Sequence, residues 1–116
     1  MLSSENRLKK RKEFAYLYNH GKALHTAHLT LVFLPTKSRK LKIGFSVAKK
    51  IGKAHTRNFI KRRLRALLRE FVPSMPDNYN VVFIAKSGIE NITFQEMKTQ
   101  IKYLLNKGEF LKWNLW

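Results

Sequence analysis

The sequence predicts a single α+β domain, an α/β sandwich of three helices on one four-stranded sheet in the order αβββαβα. Three observations predict it. Apolar residues recur at helical spacing in three separated stretches, Phe14 to Tyr18, Ile60 to Phe71 and Phe94 to Leu105. Between them lie runs that alternate or are continuously apolar, as strands are. The 116 residues suffice for one core and not for two, so residues 1–116 are read as one domain.

After a short polar lead, Arg11 to Asn19 reads as the first helix, with Phe14, Leu17 and Tyr18 at i, i+3 and i+4. Gly21 stands where a left-handed cap would close it. Phe14 and Leu17 read as core, and Tyr18 as a half-buried ring with a wet hydroxyl. Leu24 to Thr26 reads as a short strand, and Leu29 to Leu34 as a longer one ended by Pro35 and the basic turn T-K-S-R-K. In Leu41 to Val47, Ile43, Phe45 and Val47 alternate with Lys42, Gly44 and Ser46, the pattern of a strand with one face on the core.

The loop A-K-K-I-G-K-A follows, in which Gly52 permits a left-handed residue or a close backbone approach. It leads into a basic helix that runs to about Phe71. Val72 to Asn78, with Pro73 and Pro76, is a break, and Tyr79 to Ala85 is the most apolar run and reads as a central strand. Thr93 to Glu96, T-F-Q-E, matches a capping box. The helix it opens places Phe94, Met97, Ile101, Leu104 and Leu105 on one face and ends near Gly108. The tail from Glu109 to Trp116 is apolar for a disordered end, and its order stays open between an extension of the last helix, packing back on the domain and pairing in a crystal.

The basic helix has two faces. At about 100° per residue, Ile60, Leu64, Leu67, Leu68 and Phe71 fall within roughly a quarter of its circumference, an apolar stripe. Lys61, Arg65, Asn58, Arg69 and Arg62 follow around the adjoining arc. A solvated face normally mixes signs, but here Lys61 faces Arg57 and Arg65, and Arg65 faces Arg69, each like pair costing roughly a few tenths of a kcal/mol. A solvated face is the plain alternative; an anionic partner along the arc is the reading preferred here. Lys49, Lys50 and Lys53 stand beside the helix N-terminus, where free N–H groups and the dipole favour phosphate.

The whole chain carries a net charge of +17, with an isoelectric point near 10.6, which pulls on polyanions over long range. Hydrophobic residues make up 44%, so the charge does not imply disorder. Without cysteine there are no disulfides and no thiolate metal sites. No stretch approaches the roughly 20 apolar residues of a membrane span, and the N-terminus lacks the apolar core of a signal peptide. A cytoplasmic protein with no membrane partner is expected.

Chemistry is sparse. The seven acids, Glu5, Glu13, Glu70, Asp77, Glu90, Glu96 and Glu109, form no pair that one helix or strand would bring together. His25 and His28 lack a third ligand, and no Ser-His-Asp order, Walker loop or dinucleotide fingerprint occurs. These residues bind and do not catalyse. Lys49, Lys50, Lys53, Lys61, Arg62 and Arg65 suit phosphate contacts that position a nucleic acid without reading it. Phe14 and Tyr18, with Phe45 and Phe59 as further candidates, offer ring faces to unpaired bases, which favours RNA over duplex DNA. A helix-turn-helix is disfavoured, since a strand precedes the basic helix.

The string A-K-K-I-G-K-A-H-T-R-N-F-I-K-R-R-L-R, Ala48 to Arg65, closely resembles the signature of the bacterial ribonuclease P protein component. The opening N-R-L-K-K-R-K-E-F at Asn6 to Phe14, the pair His20 and Gly21, and V-V-F-I-A-K-S-G at Val81 to Gly88 extend the resemblance over nearly the whole chain. It implies a ribosomal S5 domain 2-like fold with a left-handed βαβ crossover, an exception to the usual hand. It also implies a protein subunit, monomeric and one per catalytic RNA, that binds ribonuclease P RNA and precursor tRNA. The RNA then removes the 5′ leader with bound Mg²⁺.

By the same resemblance, the leader would lie extended between the first helix and the sheet. Phe14 and Tyr18 would be ring walls, Ser46 and Lys49 would lie on the floor or rim, and Arg57, Asn58, Lys61, Arg62 and Arg65 would contact RNA. The chain departs from the pattern at Phe59, where the motif usually has its second arginine. Charge alone also fits a ribosomal or other structured-RNA-binding protein, which selective recovery of ribosomal RNA would favour. A cationic membrane-surface protein is a third reading, favoured by salt-insensitive association with anionic vesicles.

Overall fold

The apolar run Tyr79–Ala85 is an inner strand of the sheet in the computed structural model, which describes residues 7–8, 11–37 and 40–108. In chain order the elements are α1 (Arg11–His20), β1 (Lys22–His25), β2 (Leu29–Pro35), β3 (Lys42–Ser46), α2 (Ala54–Phe71), β4 (Tyr79–Ala85) and α3 (Phe94–Lys107). Short 3₁₀ turns at Lys49–Ile51, Val72–Ser74 and Ile89–Asn91 join some of them. The apolar tail, Lys9 and Lys10 with the first six residues of the lead, and Ser38 and Arg39 of the basic turn lie outside the described residues.

The strands form one sheet in the order β1-β2-β4-β3. β2 pairs antiparallel with both β1 and β4, in registers that include Leu24↔Leu31 and Leu31↔Phe83. β3 runs parallel to β4, with Gly44 opposite Val82 and Ser46 opposite Ile84. A parallel pair needs a crossover connection, and α2 supplies it.

Strand alternation divides the core between the two faces of the sheet. Leu29, Leu31, Ile43, Val81, Phe83 and Ala85 point to one face, against the buried stripes of α2 and α3. Val32 and Val82 point to the other, with Leu8, Leu17 and the half-buried Phe14 over them. The molecule is therefore layered with α1 on one side of the sheet and α2 and α3 on the other.

The predicted stripe of α2 is buried at each position, Ile60, Leu64, Leu67, Leu68 and Phe71, and burying side chains of this size stabilises by about 1.5–3 kcal/mol each. At α3 the capping box is present, with Thr93 Oγ1 accepting from the Glu96 N–H and Glu96 Oε1 accepting from the Thr93 N–H. Phe94 corrects the expected buried face: it lies at the first position of α3 and is exposed, while Met97, Ile101, Leu104 and Leu105 are buried.

Gly21 is a second correction. Among the described glycines only Gly88 lies in the left-handed region, so Gly21 is not a left-handed cap. Its N–H closes α1 on the Leu17 carbonyl at 2.8 Å, and an added Cβ would meet that oxygen at 2.6 Å and the Phe33 carbonyl at 2.9 Å. The glycine is there for close approach of α1 to β2. Gly52 is likewise extended and not left-handed. The short first strand begins two residues before its expected start, at Lys22, and β3 stops at Ser46, one residue before Val47.

Candidate nucleic-acid interface

A glycine in the middle of an alternating strand marks a place where something approaches the backbone closely. At Gly44 that neighbour is Phe14, whose ring from α1 lies over the strand. Lys42, two residues earlier on the same face of β3, is bonded to Glu13 of α1 at 3.1 Å, which holds the helix over the strand. The preceding chain joins this contact from the other direction. The Leu8 N–H donates to the Ile43 carbonyl at 2.9 Å, and Arg7 forms a parallel bridge with Ile43.

These contacts enclose a small cleft of about 110 Å³ at the outer edge of β3, lined by Arg7, Leu8, Phe14, Ile43, Gly44, Phe45, Lys61 and Arg65. Its floor is apolar or backbone and its rim is cationic, with Lys61 and Arg65 contributed by α2 from the opposite face of the sheet. The exposed Tyr18 adds a second ring, tilted at 52° to Phe14 with centroids 6.3 Å apart. Ser46 follows Gly44 by two residues and so shares its face, half-buried at the end of β3. Phe45 stacks on Phe83 at 6.4 Å, so it belongs to the core more than to an open ring surface.

The basic arc of α2 continues outward from the cleft. Arg62, Arg65, Ala66 and Arg69 line a second depression, of about 180 Å³, and Asn58 is exposed near the helix start. Arg65 borders both hollows. The one acid of α2, Glu70, is bonded to Lys98 of α3 at 3.3 Å. At the N-terminus, Lys49, Lys50 and Lys53 are all exposed, Lys53 caps without a side-chain bond, and the first turn carries no acid. Uncapped N–H groups among three ammonium groups make this end attractive to phosphate.

Arg57 differs from its neighbours. Its Nε donates to the Gly52 carbonyl at 3.1 Å, so part of its guanidinium is already used to brace the loop before α2. Phe59, at the departure from the motif, is exposed and lies under two guanidinium groups, Arg63 at 4.5 Å and Arg62 at 5.9 Å from its centroid. Among the described residues no three His, Asp or Glu side chains come together as a metal site, and no helix is long and apolar enough to cross a membrane.

The structure thus joins Phe14, Lys61 and Arg65 in one cleft, sets Tyr18 and Ser46 beside it, and leaves Lys49, Lys50, Lys53, Asn58 and Arg62 on the adjoining surfaces. Arg7, Leu8 and Gly44 complete the cleft without having been singled out for it. Gly44 had a readable signal, a glycine inside an alternating strand; Arg7 and Leu8 had none, because one bridge at a strand edge has no periodicity.

The family model described as Ribonuclease P matches residues 2–109. The chain belongs to the ribonuclease P protein family. It is 35% identical over 103 residues to the ribonuclease P protein component of Clostridioides difficile (strain 630), covering 88% of this chain and 90% of that protein. The ribonuclease P protein of Thermotoga maritima superposes with a TM-score of 0.79 at 25% identity, over 87% of this chain and 96% of that one. The Staphylococcus aureus ribonuclease P protein gives 0.86 at 22% identity, over 91% and 97%, which supports the fold. The four-stranded sheet with three helices is accordingly the architecture of ribonuclease P proteins.

Proposed function

We propose that the chain is the protein subunit of a ribonucleoprotein ribonuclease P, which binds a catalytic RNA and the 5′ leader of precursor tRNA and assists removal of that leader. The observation that carries the reading is the cleft at Gly44, where an aromatic wall, a backbone floor and the Lys61 and Arg65 cations meet. A single strand suits such a cleft. Its bases stack on Phe14 and Tyr18 while its phosphates face Arg65 and Lys61. Ser46 stands beside the cleft at the end of β3, within reach of the strand's sugar-phosphate edge. Lys49, Lys50 and Lys53 take phosphates at the start of α2, and Asn58 and Arg62 take them along its outer face, with the free part of Arg57 beside them.

Leader removal is assigned to the RNA. The Mg²⁺ that the cleavage requires is assigned mainly to the RNA, whose phosphates are the hard oxygen ligands this ion favours. The protein contributes binding: neutralising phosphate and holding the leader extended lowers the Mg²⁺ concentration at which RNA and substrate associate. One protein, acting as a monomer in the cytoplasm, serves one catalytic RNA.

The test is cleavage of precursor tRNA by a bacterial ribonuclease P RNA at low Mg²⁺, with and without the purified protein. The protein is expected to raise leader removal. No gain over the RNA alone would refute the proposal, and selective binding to ribosomal RNA in the same preparation would favour a structural RNA-binding role.

A further inference from the structure

On the flank of α2 opposite the cleft, three side chains from two helices form a cation and aromatic stack. Residues 59 and 63 lie roughly 160–200° around the helix from Lys61. The Arg63 guanidinium carbon is 4.5 Å from the Phe59 ring centroid and 5.8 Å from that of Phe94, the first residue of α3. Arg63 Nη1 also makes a long contact, 3.5 Å, to the Ile92 carbonyl just before α3. Both rings nevertheless stay open, with Phe59 46% and Phe94 40% exposed.

Given the RNA-binding function proposed above, on which this assignment rests, we propose that Phe59, Arg63 and Phe94 form a stacking platform for an unpaired RNA base. Support for Arg63 would be better served by buried rings, whereas these present large apolar faces to solvent. Two cations lie against them. Arg62 stands 5.9 Å from the same Phe59 ring that Arg63 covers, while Glu90 and Glu96 turn their carboxylates to the backbone N–H groups of Gly88 and Thr93. A ring carrying guanidinium groups suits a base whose own phosphates those groups can neutralise. The outer face of α2, with Asn58, Arg62 and Arg69, lies between cleft and platform, so one strand can cross the helix from one to the other.

The test follows ring and amide resonances by NMR while a short oligo(A) RNA, or the same sugar-phosphate chain without bases, is added to the full chain. Oligo(A) should shift the Phe59 and Phe94 ring resonances upfield, and the abasic chain should not. Phe59→Leu keeps an apolar support for Arg63 and should weaken binding read at Phe94 by about five- to a hundredfold, while Phe59→Trp retains it. Two results would overturn the platform alone: unmoved rings while the Lys61 and Arg65 amides shift, or Phe59→Leu binding as the parent does. If oligo(A) moves no resonance at all, the RNA-binding function fails, and the platform with it.

Discussion

A Cβ placed on Gly44 would lie 2.7 Å from Cζ and 2.8 Å from Cε1 of Phe14, so the ring from α1 occupies the space a side chain on β3 would need. Leu8 Cβ stands 3.1 Å away on the same side and limits escape. Gly44→Ala should therefore push Phe14 off the strand and cost about 1–3 kcal/mol, the usual penalty for overpacking. Urea unfolding measures this. The same variant should bind precursor tRNA less tightly, because the cleft changes shape; unchanged stability and affinity would mean that Phe14 moves aside freely.

Phe14 has two roles that different substitutions separate. It is packed against the Leu8, Leu17, Val32 and Val82 cluster but only half-buried, so Phe14→Ala should cost less than the about 3–5 kcal/mol of a fully buried phenylalanine. Its effect on RNA should depend on the leader. Affinity for precursor tRNA is expected to fall, with little change for mature tRNA. Phe14→Leu should recover most of the stability but not the leader affinity, and equal losses on both RNAs would reduce Phe14 to core.

The capping box of α3 predicts a pH dependence. Glu96 is held below its ordinary value of 4.5, first by the backbone N–H of Thr93, then by the Thr93 side chain, with a smaller contribution from His28 against the slight opposing effect of burial. The folded state therefore binds its proton less readily than the unfolded state. Its contribution is present above about pH 4.5 and is lost as pH falls through the lowered folded value. The stability difference between the parent and Glu96→Gln should shrink on going from neutral pH to well below 4.5; a constant difference would contradict this. Thr93→Ala, which removes the other half of the box, should cost about 0.5–2 kcal/mol at neutral pH.

What could be read in advance follows the range of the forces involved. The stripe from Ile60 to Phe71, the capping box at Thr93 and the run Tyr79–Ala85 depend on neighbours a few residues away, and each stands where its pattern put it. Gly21 is not a left-handed cap: its Cβ space is taken by the Leu17 carbonyl of its own helix and by the Phe33 carbonyl and Val32 side chain of β2, the latter two contacts made only on folding. Phe94 is not core for a related reason: helical spacing aligned it with Met97, but it is the first residue of α3, at the helix end beside Arg63 of α2, where its ring stays exposed. The cleft was half legible. Phe14, Lys61 and Arg65 carried signals of their own, whereas the Arg7 and Leu8 wall rests on one bridge to Ile43.

Arg65 and Arg57 should respond differently to salt, although both are arginines of the same basic helix. Arg65 borders the cleft and the outer depression, so a phosphate in either place meets its guanidinium. Arg57 spends its Nε on the Gly52 carbonyl, and its loss should loosen the loop as well as remove charge. Each phosphate neutralised releases condensed counterions, so Arg65→Ala should reduce the slope of log K against log salt by about 0.7–0.9 for single-stranded or duplex partners. Arg65→Lys should restore most of that slope, because the charge returns even though the planar fork does not. Arg57→Lys, which keeps the charge but loses the Nε bond, should leave the slope alone and lower affinity through the loop. Binding titrations over a salt series decide the matter, and an unchanged slope in Arg65→Ala would place that residue outside the RNA contact.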